Sequence, residues 1–307
     1  MNLHDRVVGM LVYGFMRLVS FVPLSVSQAL GRTIGRINAA LNGRGTRVTR
    51  VNIDLCMPEL PEAERDRLVR ASLEHTGQML METPAAWLGD RKRILGWIRN
   101  IENEPLIRAP LAEGRGVIVI LPHLGNWEMI NVYLAERLGR VTGLYAPPRQ
   151  NYLKPLMRKV RGRFGNELVP TTVKGIGTLF RRLKEGRLVV VLPDQVPATG
   201  KFAPFFGHDA LTDILITRML AKSDARVVCC VIKRLPAAQG FDVLLREAHP
   251  DIYANDPSVA LAGMNRSVEA CVQEAPEQYQ WEYKRFKERP AGQLRLYSDK
   301  NASPEYH

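Results

Sequence analysis

Cysteine is scarce in this chain: four in 307 residues, at Cys56, Cys229, Cys230 and Cys271. None stands in a C-x-x-C pair and no zinc-ligand spacing occurs, so neither a disulfide framework nor a zinc centre organises the fold. Cys229-Cys230 falls in an apolar run, which reads as buried free thiols in a protein facing a reducing compartment. Acidic residues are also outnumbered, 31 Asp and Glu against 43 Lys and Arg, for a net charge of +12. That imbalance calls for an anionic partner; nucleic acid, an anionic membrane and an acidic carrier protein all qualify. No glycine fingerprint for a dinucleotide and no Walker loop is present, Gly175-Ile176-Gly177 being too short a match. Internal repeats and low-complexity tracts are absent, and the last ten residues read as frayed.

Long hydrophobic runs are lacking too. A spanning helix needs about 20 clean apolar residues. Val7 to Met16 is uncharged and mostly apolar, Arg17 interrupts it, and Leu18 to Val26 resumes with Pro23 inside. This segment suits a helix lying in or dipping into a membrane interface, with Arg17 reaching out to headgroups. Asp5 and the want of a small-residue cleavage site argue against a cleaved signal peptide. Residues 1–30 are therefore expected to form a membrane-associated helix ahead of a domain over residues 31–307.

What is present is globular: 46% hydrophobic and 24% charged residues. Residues 31–110 read as mostly helical, with a helix start at Pro61-Glu62-Ala63-Glu64 and helical apolar spacing from Leu68 to Trp87. Arg44, Arg47 and Arg50 make a basic face suited to anionic headgroups, or simply a solvated one. From Gly116 strands and helices alternate. Strands are expected at Val117–Leu121, Val141–Tyr145, Leu188–Leu192, Arg226–Ile232 and Phe241–Leu245. Helices are expected at Asn126–Leu138, Tyr152–Phe164, Gly175–Lys184, Leu211–Ala221 and Val259–Glu274. The fold class that follows is α/β: a mainly parallel sheet flanked by helices over residues 111–290, behind a mostly helical N-terminal region.

One strand-to-helix turn carries chemistry. His123-Leu124-Gly125-Asn126-Trp127-Glu128 follows the buried run Val117–Leu121 and opens a helix, the place where open α/β sheets put their sites. A histidine and an acid five residues apart prove little alone. With 31 acids in 307 residues and six histidines, the odds of at least one such pair by chance are roughly even, and the chain holds a second in His208–Asp213. Five residues along a helix turn through about 500°, leaving the side chains ~140° apart, so the histidine must precede the helix. Gly125 permits that bend and Asn126 is a good N-cap. His208, in a polar stretch after Phe205-Phe206-Gly207, reads as a loop residue. His123 then reads as a general base on a hydroxyl with Glu128 fixing its tautomer, or as a strand-end histidine bonded to a carbonyl.

The hexapeptide resembles the first acyltransferase motif of the bacterial lipid A biosynthesis (late) acyltransferases. Glu277–Pro290 (EQYQWEYKRFKERP) is similar to that family's C-terminal signature. Pro193-Asp194-Gln195 resembles its third block, and Pro204-Phe205-Phe206-Gly207 followed by Thr212 the next. Arg161-Gly162-Arg163-Phe164-Gly165 resembles the arginine-bearing segment, and Asn52, Pro58 and Glu82 fit the helical N-terminal pattern. Where the family has Tyr-Arg-Pro, this chain has Tyr145-Ala146-Pro147, with Arg149 the nearest substitute.

The resemblance implies a glycerolipid-acyltransferase-like fold and transfer of an acyl chain from acyl carrier protein to a hydroxyl of a phosphorylated lipid A precursor. It implies His123 as base and Glu128 as orienter, with backbone N–H groups near Gly125 and Asn126 meeting the oxyanion. Asn126, Arg161, Arg163, Asp194 and Gln195 become substrate-binding candidates, the arginines for phosphate. Lys284, Arg285, Lys287 and Arg289 are expected to meet phosphate, carrier protein or membrane rather than nucleic acid. No metal and no cofactor is called for, and the cytoplasmic face of a Gram-negative inner membrane is the implied location. A glycerolipid or ornithine-lipid acceptor is the nearest alternative.

Overall fold

The computed structural model describes residues 3–145 and 150–297. Five helices come first: α1 (Leu3–Val19), α2 (Leu24–Ala40), α3 (Arg44–Cys56), α4 (Glu62–Leu88) and α5 (Arg91–Leu95). α2 lies directly on α4. A Cβ on Gly77 would sit 2.1 Å from the Gly31 carbonyl oxygen, so only glycine lets the two backbones touch there. α1 buries none of its residues. No single helix among the described residues is long and apolar enough to cross a membrane; α1 and α2 reach that length only together, bent by 119°. Arg17 departs from expectation: its Nη1 donates to the Leu88 carbonyl oxygen at 2.7 Å. The C-terminal carbonyls of α4 attract a cation, and they hold this guanidinium against the protein.

Nine strands are described: β1 (Ile98–Glu102), β2 (Val117–Ile120), β3 (Val141–Tyr145), β4 (Glu167–Pro170), β5 (Leu188–Val191), β6 (Lys201–Phe205), β7 (His208–Thr212), β8 (Arg226–Arg234) and β9 (Phe241–Glu247). Seven form one sheet in the order β1-β9-β8-β2-β5-β3-β4, parallel except for the antiparallel β8–β9 pair. β6 and β7 make a separate hairpin. The helices α6 (Pro105–Ala112), α7 (Ile130–Arg137), α8 (Leu153–Arg161), α9 (Val173–Lys184), α10 (Leu215–Leu220) and α11 (Pro257–Glu274) complete the chain.

β2 and β5 are apolar throughout because both faces are covered. Ile118, Ile120, Val189 and Val191 join one core with α9 and α11, while Val117, Val119, Leu188 and Val190 join the other with α6 and α7. The mainly parallel α/β class stands, and all five expected strands exist. β1 and β4 went unread because they are short edge strands with polar positions, Ile-Arg-Asn-Ile-Glu and Glu-Leu-Val-Pro. β1 thus brings a piece of the N-terminal region into the sheet beside β9. The expected helix from Leu211 begins only at Leu215: Leu211 and Thr212 pair in the hairpin, and Asp213 Oδ1 accepts the Leu215 N–H at 2.8 Å.

Candidate active site

The register of β2 and β5 creates the central contact. Ile120 stands beside Val191 in the parallel pair, so three residues further on His123 stands beside Asp194. The His123 backbone N–H donates to Asp194 Oδ2 at 2.8 Å, and its ring Nδ1 lies 2.8 Å from Oδ1. Burial pushes the Asp194 carboxyl up, but the His123 charge and hydrogen bonds outweigh it and leave the group below the ordinary aspartate value. An ionised carboxylate only accepts, so Nδ1 carries the proton and Nε2 is the basic atom. The Trp127 ring meets the imidazole edge-on, centroids 5.0 Å apart. Burial, then Asp194, raises the nearby Tyr279 hydroxyl well above its usual value, keeping a proton there. The carboxylate that meets Nδ1 is therefore Asp194, placed by strand register, and not the Glu128 expected from the five-residue spacing.

The turn after His123 is closed by its own backbone. Gly125 has φ +64°, and a Cβ there would lie 1.8 Å from the Ile232 carbonyl oxygen. Its N–H donates to Gln278 O at 3.0 Å, the Asn126 N–H donates to Ile232 O at 3.1 Å, and the Gln280 N–H donates to His123 O at 3.0 Å. The expected oxyanion role of the Gly125 and Asn126 amides is thus corrected: both are consumed by the scaffold. Asn126 occupies the N-cap position of a short 3₁₀ turn, Trp127–Met129, without capping it. Its side chain is fully buried and gives Nδ2 to Glu82 Oε2 at 2.9 Å, while its Oδ1 has no hydrogen-bond partner among the described residues.

Glu82 is the hub of that scaffold. Arg234 Nε reaches Glu82 Oε1 at 2.7 Å and Arg234 Nη2 reaches Oε2 at 2.6 Å, with both side chains at most 2% exposed. Gln28 Nε2 donates to Oε1 at 2.9 Å. Arg234 Nη1 lies 3.0 Å from His75 Nδ1, which must accept, so His75 is neutral. Burial first, then Arg234 and Arg32, lower the His75 pKa to about 3. The network ties α2, α4 and β8 to the catalytic turn through Asn126.

A cavity of about 300 Å³ opens at His123. Trp127, Glu128, Gln195 and Gln280 stand near the imidazole, and Leu134, Val141, Gly143, Leu168 and Val190 line its apolar walls. A second space of about 260 Å³ shares Trp127, Glu128 and Gln280 and extends to His75, Thr76 and Glu282. Burial raises the Glu282 carboxyl above the usual glutamate value, and Thr76 Oγ1 donates to its Oε2 at 3.0 Å. Glu128 thus borders both spaces. Gln195 Nε2 donates to Gln280 Oε1 at 3.1 Å. Arg163 is exposed and donates Nη1 to Trp87 O at 3.1 Å. Arg161 closes α8 with its side chain outside the described residues, as Ala146 and Arg149 are altogether.

The remaining candidates are structural. His208 opens β7 in place of the expected loop, with its Nε2 3.0 Å from Leu55 O, and Asp213 is engaged at α10. In the C-terminal block, Trp281 is 1% exposed and donates Nε1 to Pro276 O at 2.7 Å. Arg285, expected to meet an anion, is buried and donates to Leu211 O and Thr212 Oγ1 at 2.6 and 2.9 Å. Arg289 donates to Asp209 O at 3.0 Å. Unsatisfied carbonyls of the β6–β7 hairpin take these guanidiniums, whose spacing in sequence looks like a ligand-facing basic run. The sequence reading missed the Glu82–Arg234–His75 network; an Arg at the end of an apolar strand is its one trace.

Comparison with known proteins identifies the family. Residues 3–288 match the family model of the bacterial lipid A biosynthesis acyltransferases. The chain is 31% identical over 285 residues to the lipid A biosynthesis lauroyltransferase of Escherichia coli (strain K12), covering 91% of each chain. It is 28% identical to the lipid A biosynthesis palmitoleoyltransferase of the same organism, covering 90% of each. The myristoyltransferase there is 26% identical, over 90% of this chain and 84% of that relative. With the match running from α1 through the C-terminal block and taking in His123, Glu128 and Asp194, the chain belongs to the bacterial lipid A biosynthesis acyltransferase family.

Proposed function

We propose that the protein transfers a fatty acyl chain from an acyl carrier protein thioester to a hydroxyl of a phosphorylated lipid A precursor. The observation that carries this is a histidine, held on Nδ1 by buried Asp194, that lines a cavity together with apolar side chains of α7, β3 and β5. His123 Nε2 takes the proton of the acceptor hydroxyl as its oxygen attacks the thioester carbonyl. The carbon–sulfur bond then breaks, and the imidazolium returns its proton to the departing thiolate. No serine or cysteine nucleophile is required, because the thioester is already activated.

The cavity past His123 takes the acyl chain, its volume at the small end for ligand sites and suited to one chain. The second space takes the acceptor sugar, and Glu128 between the two adds negative charge beside the imidazolium and accepts from the acceptor. We assign the tetrahedral oxyanion to the side-chain amides of Gln195 and Gln280, since the turn amides are occupied. Arg161 and Arg163 remain the proposed phosphate contacts. The exposed apolar side of α1 lies on the cytoplasmic surface of the inner membrane, where carrier protein and lipid precursor meet.

The direct test is incubation of the detergent-solubilised protein with labelled acyl carrier protein and a lipid A precursor, followed by mass spectrometry of the lipid. The expected result is one added secondary acyl mass, lost in His123→Ala. Acylation of an ornithine lipid or a glycerolipid in place of the precursor would transfer the mechanism to a different acceptor, and no lipid acylation at all would reject it.

A further inference from the structure

A large cavity among the described residues lies away from His123. It measures about 760 Å³ and sits between α2, α3, α4 and the segment 284–297, sharing no lining residue with either space at the imidazole. Its floor is apolar, made by Ala39, Val48, Val51, Val69 and Leu296. Six cations ring it, against one carboxylate, Glu74. Two of them are neutralised: Arg36 by Glu74 at 2.8 Å, and Arg50 by Asp66. Arg44, Arg47, Arg70 and Lys284 have no carboxylate within ion-pair distance among the described residues. Arg47 is held in place by Asn42 O at 2.8 Å, and the Lys284 ammonium sits 5.5 Å from the Tyr297 ring centroid.

An apolar hollow with four uncompensated cations on its rim fits an amphiphilic anion. The neighbouring surface says where that anion resides. Leu30, Ile34 and Ile37 form a stripe along one flank of α2 and are 41–55% exposed, while Arg36, Ala39 and Ala40 on another flank of the same helix line the cavity. A bilayer touched by that stripe meets the helix that also carries part of the rim, and each rim cation gains attraction from an anionic leaflet within a Debye length. An acidic protein would use the rim charges but leave the apolar floor empty.

We propose that this cavity is a non-catalytic binding site for an anionic membrane phospholipid, its phosphate on Arg44, Arg47, Arg70 and Lys284 and its glyceryl and upper acyl portion on the apolar floor. The site does not depend on the acyl-transfer reading, since it uses none of the residues around His123.

The test is binding of the full chain in detergent to a short-chain phosphatidylglycerol, followed by calorimetry, with flotation on phosphatidylcholine vesicles with and without phosphatidylglycerol. One site per chain and selective flotation are expected. The R44Q/R47Q/R70Q/K284Q variant should weaken both by roughly a thousandfold, given about 1 kcal/mol for each of the four cations near an anionic surface. Ala40→Trp fills the exposed cavity edge without altering charge and should abolish the single-site binding at unchanged melting temperature. Unchanged binding by Ala40→Trp would reduce the rim to diffuse attraction and overturn the proposal. Equal affinity for glycerol phosphate would do so too, by showing that the floor is unused. A loss of acyl carrier protein affinity in the fourfold variant, with phosphatidylglycerol binding intact, would reassign the rim to a protein partner. A raised KM for the phosphorylated acceptor in either variant would make the cavity part of the acceptor site and also overturn it.

Discussion

At the scale of single residues, the site turns on which carboxylate holds which nitrogen. Asp194 holds Nδ1 of His123 by direct contact, so its loss should leave the imidazole in the wrong tautomer. Asp194→Asn is expected to lower kcat by about a thousandfold or more with the protein still folded, as checked by single-turnover transfer and circular dichroism. Glu128→Gln should cost about a hundredfold, because it borders the reacting atoms without occupying Nδ1. His208→Ala should leave turnover nearly unchanged while removing one hydrogen bond to Leu55 O, worth about 1 kcal/mol in denaturant melts. Full activity in Asp194→Asn would mean that the His123 tautomer is set by something else.

Elements explain how far a single side chain reaches. Glu82 on α4 and Arg234 at the end of β8 form a pair buried so completely that removing one partner leaves a bare charge. Glu82→Ala should therefore cost about 3–5 kcal/mol in urea unfolding. His75, on the same face of α4, makes that network sensitive to acid. In the unfolded chain it takes up a proton near pH 6.5, whereas in the fold it does so only near about 3. Between those values the unfolded chain binds the extra proton, so stability falls as pH drops, by about 1 kcal/mol per pH unit well below 6.5. His75→Gln keeps an acceptor for Arg234 without titrating, and its stability should fall less steeply between pH 6 and 5 than wild type. On β3, Gly143 lines the cavity at His123, the proposed acyl site, and a Cβ there would already lie 3.3 Å from Leu168 Cδ2. Gly143→Leu should shift donor preference to shorter chains, read as the acyl mass added when donors of mixed length compete.

For the whole molecule, the question is how a basic, largely water-compatible protein meets a lipid. No residue of α1 is fully buried, and Leu11, Phe15 and Leu18 are at least 65% exposed, an apolar surface of the kind that marks a contact with a membrane or a partner. Leu11→Glu with Phe15→Glu should release the protein from sedimented membranes while detergent-assisted transfer persists. Continued sedimentation of that variant would mean that α1 does not provide the attachment. Positive charge is not spread evenly between uses. Arg285 and Arg289 are spent on hairpin carbonyls inside the fold, whereas Arg44, Arg47 and Arg70 stand exposed around the α2–α3–α4 cavity.

Local physics written in the sequence determined much of this. Apolar runs located β2, β3, β5, β8 and β9, because strands covered on both faces are mainly apolar, β2 and β5 entirely so. The same runs identified the turn that carries His123, and Gly125 is required there because its φ is positive and Ile232 O closes on it. Edge strands β1 and β4 were silent because half their surface faces water. Tertiary structure alone decided the partners. The parallel register of β2 and β5 brought Asp194 to Nδ1, although 71 residues separate it from His123 and Glu128 is only five away. Packing of α4 against β8 put Glu82 under Asn126 and turned that amide inward. Sequence spacing reports only neighbours along one element, whereas strand register and helix packing decide which carboxylate an imidazole meets.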